Sequence, residues 1–238
     1  MDLWFRQLGF YNNPFSIKPG VFHDEIFGNK ELVDSALEKV KEGSVVFISG
    51  DFGSGKTSVL KRIIKRFGGK KQVVYYSCNR TENEIDFEEL LKGKYGFFGR
   101  LFGKRSSNMI LLLDEAQDLS KDDSLALVGC FNNSDFKSII LVSKDYKLNG
   151  IAEDLKNLIG DNIVRLGDLT EDEAIDMIRR RIGYIKILSD DVVKYIFEKV
   201  DKNPRKMLGL CEDVCRHAVN NCETETTTEH VDLVLREK

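Results

Sequence analysis

Ser44-Val-Val-Phe-Ile-Ser-Gly-Asp-Phe-Gly-Ser-Gly-Lys-Thr-Ser-Val-Leu60 decides how the rest of this chain is read. An apolar, β-rich run empties into glycines, then a lysine and a threonine, and a helical pattern continues from Ser58 to Phe67. Gly50, Gly55, Lys56 and Thr57 satisfy the spacing G-x-x-x-x-G-K-S/T with a strand before and a helix after, the context that separates a phosphate-binding loop from an ordinary glycine-rich turn. Backbone N–H groups converge on phosphate oxygens only where no Cβ blocks the approach and positive φ is tolerated, and Gly53 and Gly55 supply both. Lys56 is therefore expected to reach the β and γ phosphates of a nucleotide and Thr57 to place its hydroxyl on Mg²⁺. The opening helix then turns its positive end toward the anion.

The 238 residues can bury a real core and suit one nucleotide-binding domain with a smaller partner. A net charge of −3 argues against bulk electrostatic coating of nucleic acid, so any DNA contact has to be regional. No apolar stretch approaches the length of a transmembrane segment, and residues Met1 to Phe10 lack the basic-then-apolar layout of a signal peptide. A cytoplasmic protein is the expectation. Five cysteines, an odd number, read as reduced thiols. Cys211 and Cys215 lie one helical turn apart near His217, but no C-x-x-C pair supports a metal site, and buried core cysteines are the better reading.

Outward from the loop, Leu8 to Phe22 reads as an aromatic, turn-rich lead-in. A helix is expected to start within Ile26–Leu32, with Leu32, Leu37 and Val40 among its apolar positions, and to end at Lys41-Glu-Gly43. Gln72 to Cys78 is a second strand and acidic Glu82 to Leu91 a short helix. Met109-Ile-Leu-Leu-Leu-Asp-Glu-Ala-Gln117 is an unbroken apolar run ending in two carboxylates, as a fully buried parallel strand would be. Ser138 to Ser143 repeats the pattern with a hydroxyl at its end, and Asn162 to Leu166 is a fifth strand. Strands alternating with helices imply an α/β fold, a parallel sheet covered on both faces in three layers. From Leu169 the pattern is helix alone: Thr170-Glu-Asp-Glu173 resembles a capping box, Ser189 caps a helix through Val200, Asn203-Pro-Arg205 opens a third through His217, and Thr228 leads a last short one. The expected organisation is a nucleotide-binding α/β domain over 1–168, its lead-in covering 1–25, and a small helical lid over 169–238.

Lys92-Gly-Lys-Tyr-Gly-Phe-Phe-Gly-Arg-Leu-Phe-Gly-Lys-Arg105 holds five cationic side chains, no acidic ones, four aromatics and four glycines. Cations interleaved with aromatics can follow a phosphodiester backbone while stacking on bases, which makes DNA a candidate partner through Lys92, Lys94, Arg100, Lys104 and Arg105. A surface loop whose phenylalanines fold back onto the domain is a reading of equal standing, and docking on a protein or a membrane surface is a third.

A phosphate loop alone says only that a nucleotide binds, so the second site carries the chemistry. In a doubly wound sheet the strand ends lie at the ligand crevice, which would bring Asp114 and Glu115 near the γ phosphate. Asp114 can hold Mg²⁺, while Glu115 can orient and polarise the attacking water. With these elements in place the chain resembles the AAA+ ATPases, roughly from Asn13 to its end. Gly50 to Thr57 matches the Walker A element and Leu111 to Glu115 matches Walker B with its catalytic glutamate. The fold implied is a P-loop NTPase of the ASCE/AAA+ type with a helical lid. The resemblance implies ATP/ADP and Mg as cofactors, contacted by Gly50, Asp51, Phe52, Gly53, Ser54, Gly55, Lys56, Thr57 and Ser58. Ser143 falls at the sensor 1 position, Asn79 at that of the switch residue that holds the glutamate back, and Asn203-Pro-Arg205 is similar to sensor 2 of the initiator clade. In that clade of origin-recognition, transposition and secretion helpers, Arg205 would reach back to the γ phosphate.

Two departures bear on mechanism. The region before the fifth strand, Lys147 to Asn162, contains no arginine finger; Lys156 is a poor substitute and Arg165 lies within the strand. Initiators also continue into a winged-helix module after the lid, whereas this sequence ends at Lys238, so duplex reading by that module is not expected. The reading is an ATP hydrolase, slow or partner-stimulated, used as a conformational switch in DNA-associated machinery, with a protein partner or homo-oligomer completing it. The alternative is a nucleotide-dependent adaptor that rarely hydrolyses. A metabolite kinase is disfavoured by Glu115 beside Asp114. A helicase motor, suggested by Asp-Glu-Ala-Gln117, lacks room for a second motor domain.

Overall fold

The computed structural model describes residues 3–17, 27–68, 72–78, 84–92, 108–145 and 150–237. The chain divides into two compact units, an α/β unit of Lys30–Phe52 with Lys56–Leu166 and a helical unit of Met1–Asn29, Gly53–Gly55 and Gly167–Lys238.

In the α/β unit, β1 (Val45–Ser49), β2 (Val73–Ser77), β3 (Met109–Asp114), β4 (Phe136–Ser143) and β5 (Ile163–Arg165) form one sheet in the order β2-β3-β4-β1-β5. Every pairing is parallel. Between them run α2 (Lys30–Glu42), α3 (Lys56–Phe67), α4 (Phe87–Lys92), α5 (Lys121–Asn132) and α6 (Glu153–Ile159); α1 (Trp4–Gln7) belongs to the other unit. All five residues of β1 are buried, which explains why it is apolar throughout rather than alternating. Val45 and Phe47 share one cluster with Leu91 of α4, Leu127 of α5 and Leu155 of α6. Val46 and Ile48, pointing the opposite way, are just as buried, and α2 packs on β1, β4 and β5. The sheet is thus the middle of three layers.

Three expectations need correcting here. The buried face of α2 is Val33, Ala36 and Val40, at helical spacing, while Leu32 points outward and is 41% exposed. Helix α4 begins only at Phe87; Ile85 and Asp86 are not helical, because the Ile85 N–H is taken by Asp123 Oδ1 at 2.9 Å. Helices α5 and α6 fill stretches that the sequence pattern left unassigned. Helix α5 opens with a reciprocal cap: the Asp123 N–H donates to Ser120 Oγ at 3.0 Å and the Ser120 N–H to Asp123 Oδ2 at 3.2 Å. Ser120→Ala removes the acceptor of that cap and is expected to cost about 1 kcal/mol, read as a lower denaturation midpoint at unchanged slope.

The helical unit contains α7 (Glu171–Ile182), α8 (Asp190–Lys199), α9 (Pro204–Asn220) and α10 (Thr228–Arg236). The expected caps are present. Thr170 and Glu173 form a capping box, Ser189 accepts from the Val192 N–H, and Asn203 Oδ1 accepts from the Arg205 and Lys206 N–H groups with Pro204 at the first helical position. Described residues of the lead-in contribute to this unit's core. Trp4 and Phe15 are buried in the same cluster as Ile178, Phe197 and Val214, their rings stacked 6.2 Å apart. The Arg181 guanidinium donates to the carbonyls of Pro14 and Ser16. Cys211 and Cys215 are core residues, and burial pushes the Cys215 thiol up to about 12 and Cys211 well above its ordinary range.

Candidate nucleotide site

Strand register brings the candidate residues to one edge of the sheet. Ser49, the last residue of β1 before Gly50, pairs with Ser143 at the end of β4, and Leu113, just before Asp114, pairs with Leu141 two residues short of Ser143. Because β4 lies between β1 and β3, the phosphate loop and the carboxylate pair emerge on either side of Ser143. This is the carboxyl end of a parallel sheet, where such folds place ligands.

Lys56 opens α3 and folds back over the loop, its ammonium donating to Gly50 O at 2.6 Å and Asp51 O at 2.9 Å. Burial lowers its pKa, and the carboxylates of Glu115, Asp114 and Asp51 pull it back up, in that order. The cation and the carboxylates of Asp114 and Glu115 therefore share one electrostatic neighbourhood. Thr57 and Ser58 follow in the first turn of α3, Thr57 exposed and Ser58 half-buried, and Phe52 is 65% exposed.

Gly53 and Gly55 have φ of +91° and +99°, the left-handed region that the spacing required of glycine. Within the helical unit, a Cβ on Gly53 would fall 2.6 Å from Asn203 Oδ1 and 2.9 Å from Arg205 Cβ. Arg205 Cβ thus lies beside Gly53 within that unit. Among the described residues Ser54 Oγ, which is buried, has no hydrogen-bond partner, which fits an incoming acceptor of the phosphate kind.

Glu115 has φ +54° and ψ +43°, left-handed although it is not glycine, and it precedes a single 3₁₀ turn, Ala116–Asp118. Its N–H donates to Asp114 Oδ1 at 3.0 Å, and Tyr75 of β2 donates its hydroxyl to Asp114 Oδ2 at 3.1 Å. Burial and Asp114 raise the Tyr75 pKa to about 12, so the phenol stays a donor. Beyond Glu115, the Gln117 amide N–H donates to Glu115 Oε2 at 2.7 Å and Ser143 Oγ donates to Gln117 Oε1 at 2.9 Å. Tyr75 and Gln117 are the site residues that sequence reasoning missed.

Asn79 and the basic aromatic stretch, with Lys94, Arg100, Lys104 and Arg105, lie outside the described residues; Lys92 closes α4. Lys156 pairs with Glu153 at 3.0 Å on α6. Among the described residues no helix is long and apolar enough to cross a membrane.

The profile of a family described as Novel STAND NTPase 3 (nSTAND3) matches residues 27–183, about two thirds of the chain. No curated protein matches. Among solved structures, the chain is similar to Drosophila ORC bound to DNA, with a TM-score of 0.69 and 15% identity over 93% of this chain and 63% of that one. It is similar to Cdc6p from Pyrobaculum aerophilum at a TM-score of 0.68 and 16% identity, covering 94% and 70% of the two chains. It is also similar to domain III of the Thermotoga maritima replication initiation protein DnaA, at 0.64 and 22%, covering 91% and 94%. The chain spans less than two thirds of the ORC chain. The chain shares the fold of these solved structures, and the STAND profile adds a family that the sequence motifs did not name.

Proposed function

Because the chain belongs to the novel STAND NTPase 3 family, we propose that it binds ATP at the ends of β1, β3 and β4 and hydrolyses it slowly as a conformational switch. The observation that carries this reading is the placement of the Lys56 ammonium within the field of Asp114 and Glu115 while it is hydrogen-bonded to the loop carbonyls of Gly50 and Asp51.

In this reading Lys56 and the loop N–H groups from Gly53 to Thr57 neutralise and orient the phosphates. Asp114 and Thr57 would hold Mg²⁺, which supplies charge neutralisation on the phosphate oxygens. Among the described residues no three His, Cys, Asp or Glu side chains gather as a self-sufficient metal site, so the ion would depend on the phosphates for further oxygen ligands. Glu115 polarises the attacking water, and Ser143 donates to the terminal phosphate. Arg205, at the opening of α9, adds a cation that meets the phosphate in one nucleotide state and not the other. That is the differential contact a switch needs. The functional division is taken as 1–168 and 169–238, a DNA-associated role as the setting, and a protein partner or second copy as the source of the arginine that 147–162 lacks.

Turnover measured with and without single- and double-stranded DNA tests the setting. Severalfold stimulation is expected at low salt, lost when Lys94, Arg100, Lys104 and Arg105 are changed to alanine, because those cations exchange counterions for phosphates. Turnover that ignores DNA, with a salt slope shared by wild type and variant, favours the adaptor reading.

A further inference from the structure

We propose that Gln117 is a latch on Glu115, released when Ser143 turns its hydroxyl hydrogen bond from Gln117 to a phosphate oxygen. The inference rests on the reading of Glu115 as the water-polarising base.

The argument is one of counting donors. An ionised carboxylate only accepts hydrogen bonds, so the Gln117 NH₂ must face Glu115 and its carbonyl must face Ser143. A carbonyl only accepts as well, so the Ser143 hydroxyl is the donor in that contact. The chain of bonds runs in one direction, Ser143 to Gln117 to Glu115. Serine has a single O–H, and one proton serves one strong acceptor at a time. Ser143 is 2% exposed and lies beside Ser49 at the mouth of the phosphate loop, so a phosphate oxygen competing for its proton competes directly with Gln117.

Losing that donor frees the Gln117 amide to rotate, because its side chain is on the exposed side of the 3₁₀ turn and is held at its far end by these two bonds. Glu115 Oε2 then becomes available to a water molecule. While the latch is made, that oxygen is already engaged and the carboxylate is held toward residue 117. The residue closes the Asp-Glu-Ala-Gln117 stretch that suggested a helicase motor, and it acts as a positioning residue, through Glu115.

Single-turnover ATP hydrolysis and nucleotide affinity of the full chain decide the matter. Gln117→Met, similar in length but without donor or acceptor, is expected to raise the hydrolysis rate about threefold or more and to tighten ATP binding, because Ser143 no longer gives up a hydrogen bond to reach the phosphate. Gln117→Asn, polar but too short to span both partners, should behave the same way. In a Ser143→Ala background the Gln117→Met gain should vanish, because the relay has already lost its origin. An unchanged or slower rate in Gln117→Met, or an equal gain in both backgrounds, overturns the latch. Persistent turnover in Glu115→Gln would instead bring down the assignment of the base itself, so the two failures are distinguishable.

Discussion

Glu115→Gln is expected to keep ATP binding and to cut turnover by about 10²-fold or more, the range that a positioned general base contributes. The two side chains have the same length and shape, so the left-handed backbone at residue 115 and its 3₁₀ turn are retained. What changes is chemistry: an amide neither accepts the water's proton nor carries the charge that polarises it. Affinity should not fall, because the lost carboxylate is one of those acting on Lys56, and an anion beside a triphosphate weakens binding. Phosphate release assays alongside equilibrium binding of a fluorescent ATP analogue give both quantities. Equal hydrolysis by wild type and variant would end the proposed role of Glu115.

Lys56→Ala is expected to weaken ATP binding by about 10²-fold or more, taking roughly 3 kcal/mol for the lost charged hydrogen bonds. The ammonium lies in the field of Asp51, Asp114 and Glu115, with Lys144 a further cation acting on it. Its removal also strips the donor from Gly50 O and Asp51 O at the turn into the loop. Lys56→Met separates these effects from lost packing, since it keeps most of the aliphatic stem. Binding by either variant within a few-fold of wild type would show that the loop holds phosphate without its lysine.

The sequence made some parts of this molecule legible because their physics is local. A strand buried on both faces must be apolar throughout, so β1, β3 and β4 announce themselves, and the polar residues that end them, Ser49, Asp114 and Ser143, stand out against that background. Helix caps such as Thr170-x-x-Glu173 and Asn203-Pro204 are equally short-range. Helix α5 escaped because its box uses Asp123 where glutamate or glutamine is usual, and that aspartate also binds Ile85, far away in sequence. Gln117 escaped for a different reason: it meets Glu115 and Ser143 only once Glu115 turns left-handed and β4 comes alongside β3, and neither event has a local signature. Tyr75 reads as an ordinary strand aromatic until Asp114 is placed next to it. The lead-in carried aromatic residues suited to burial, but their partners, such as Ile178, Phe197 and Val214, lie far away in sequence and have no local signature.

The backbone of Glu115 has a consequence for how such a chain can change over time. A residue with a Cβ held at φ +54° gives up roughly 1–2 kcal/mol against a relaxed conformation. Glycine recovers that energy at the expense of the carboxylate. Random drift at this one codon is therefore biased toward a sturdier protein that has lost its chemistry. Copies that keep the acid do so against a thermodynamic gradient, and lineages that no longer need hydrolysis should shed it there first.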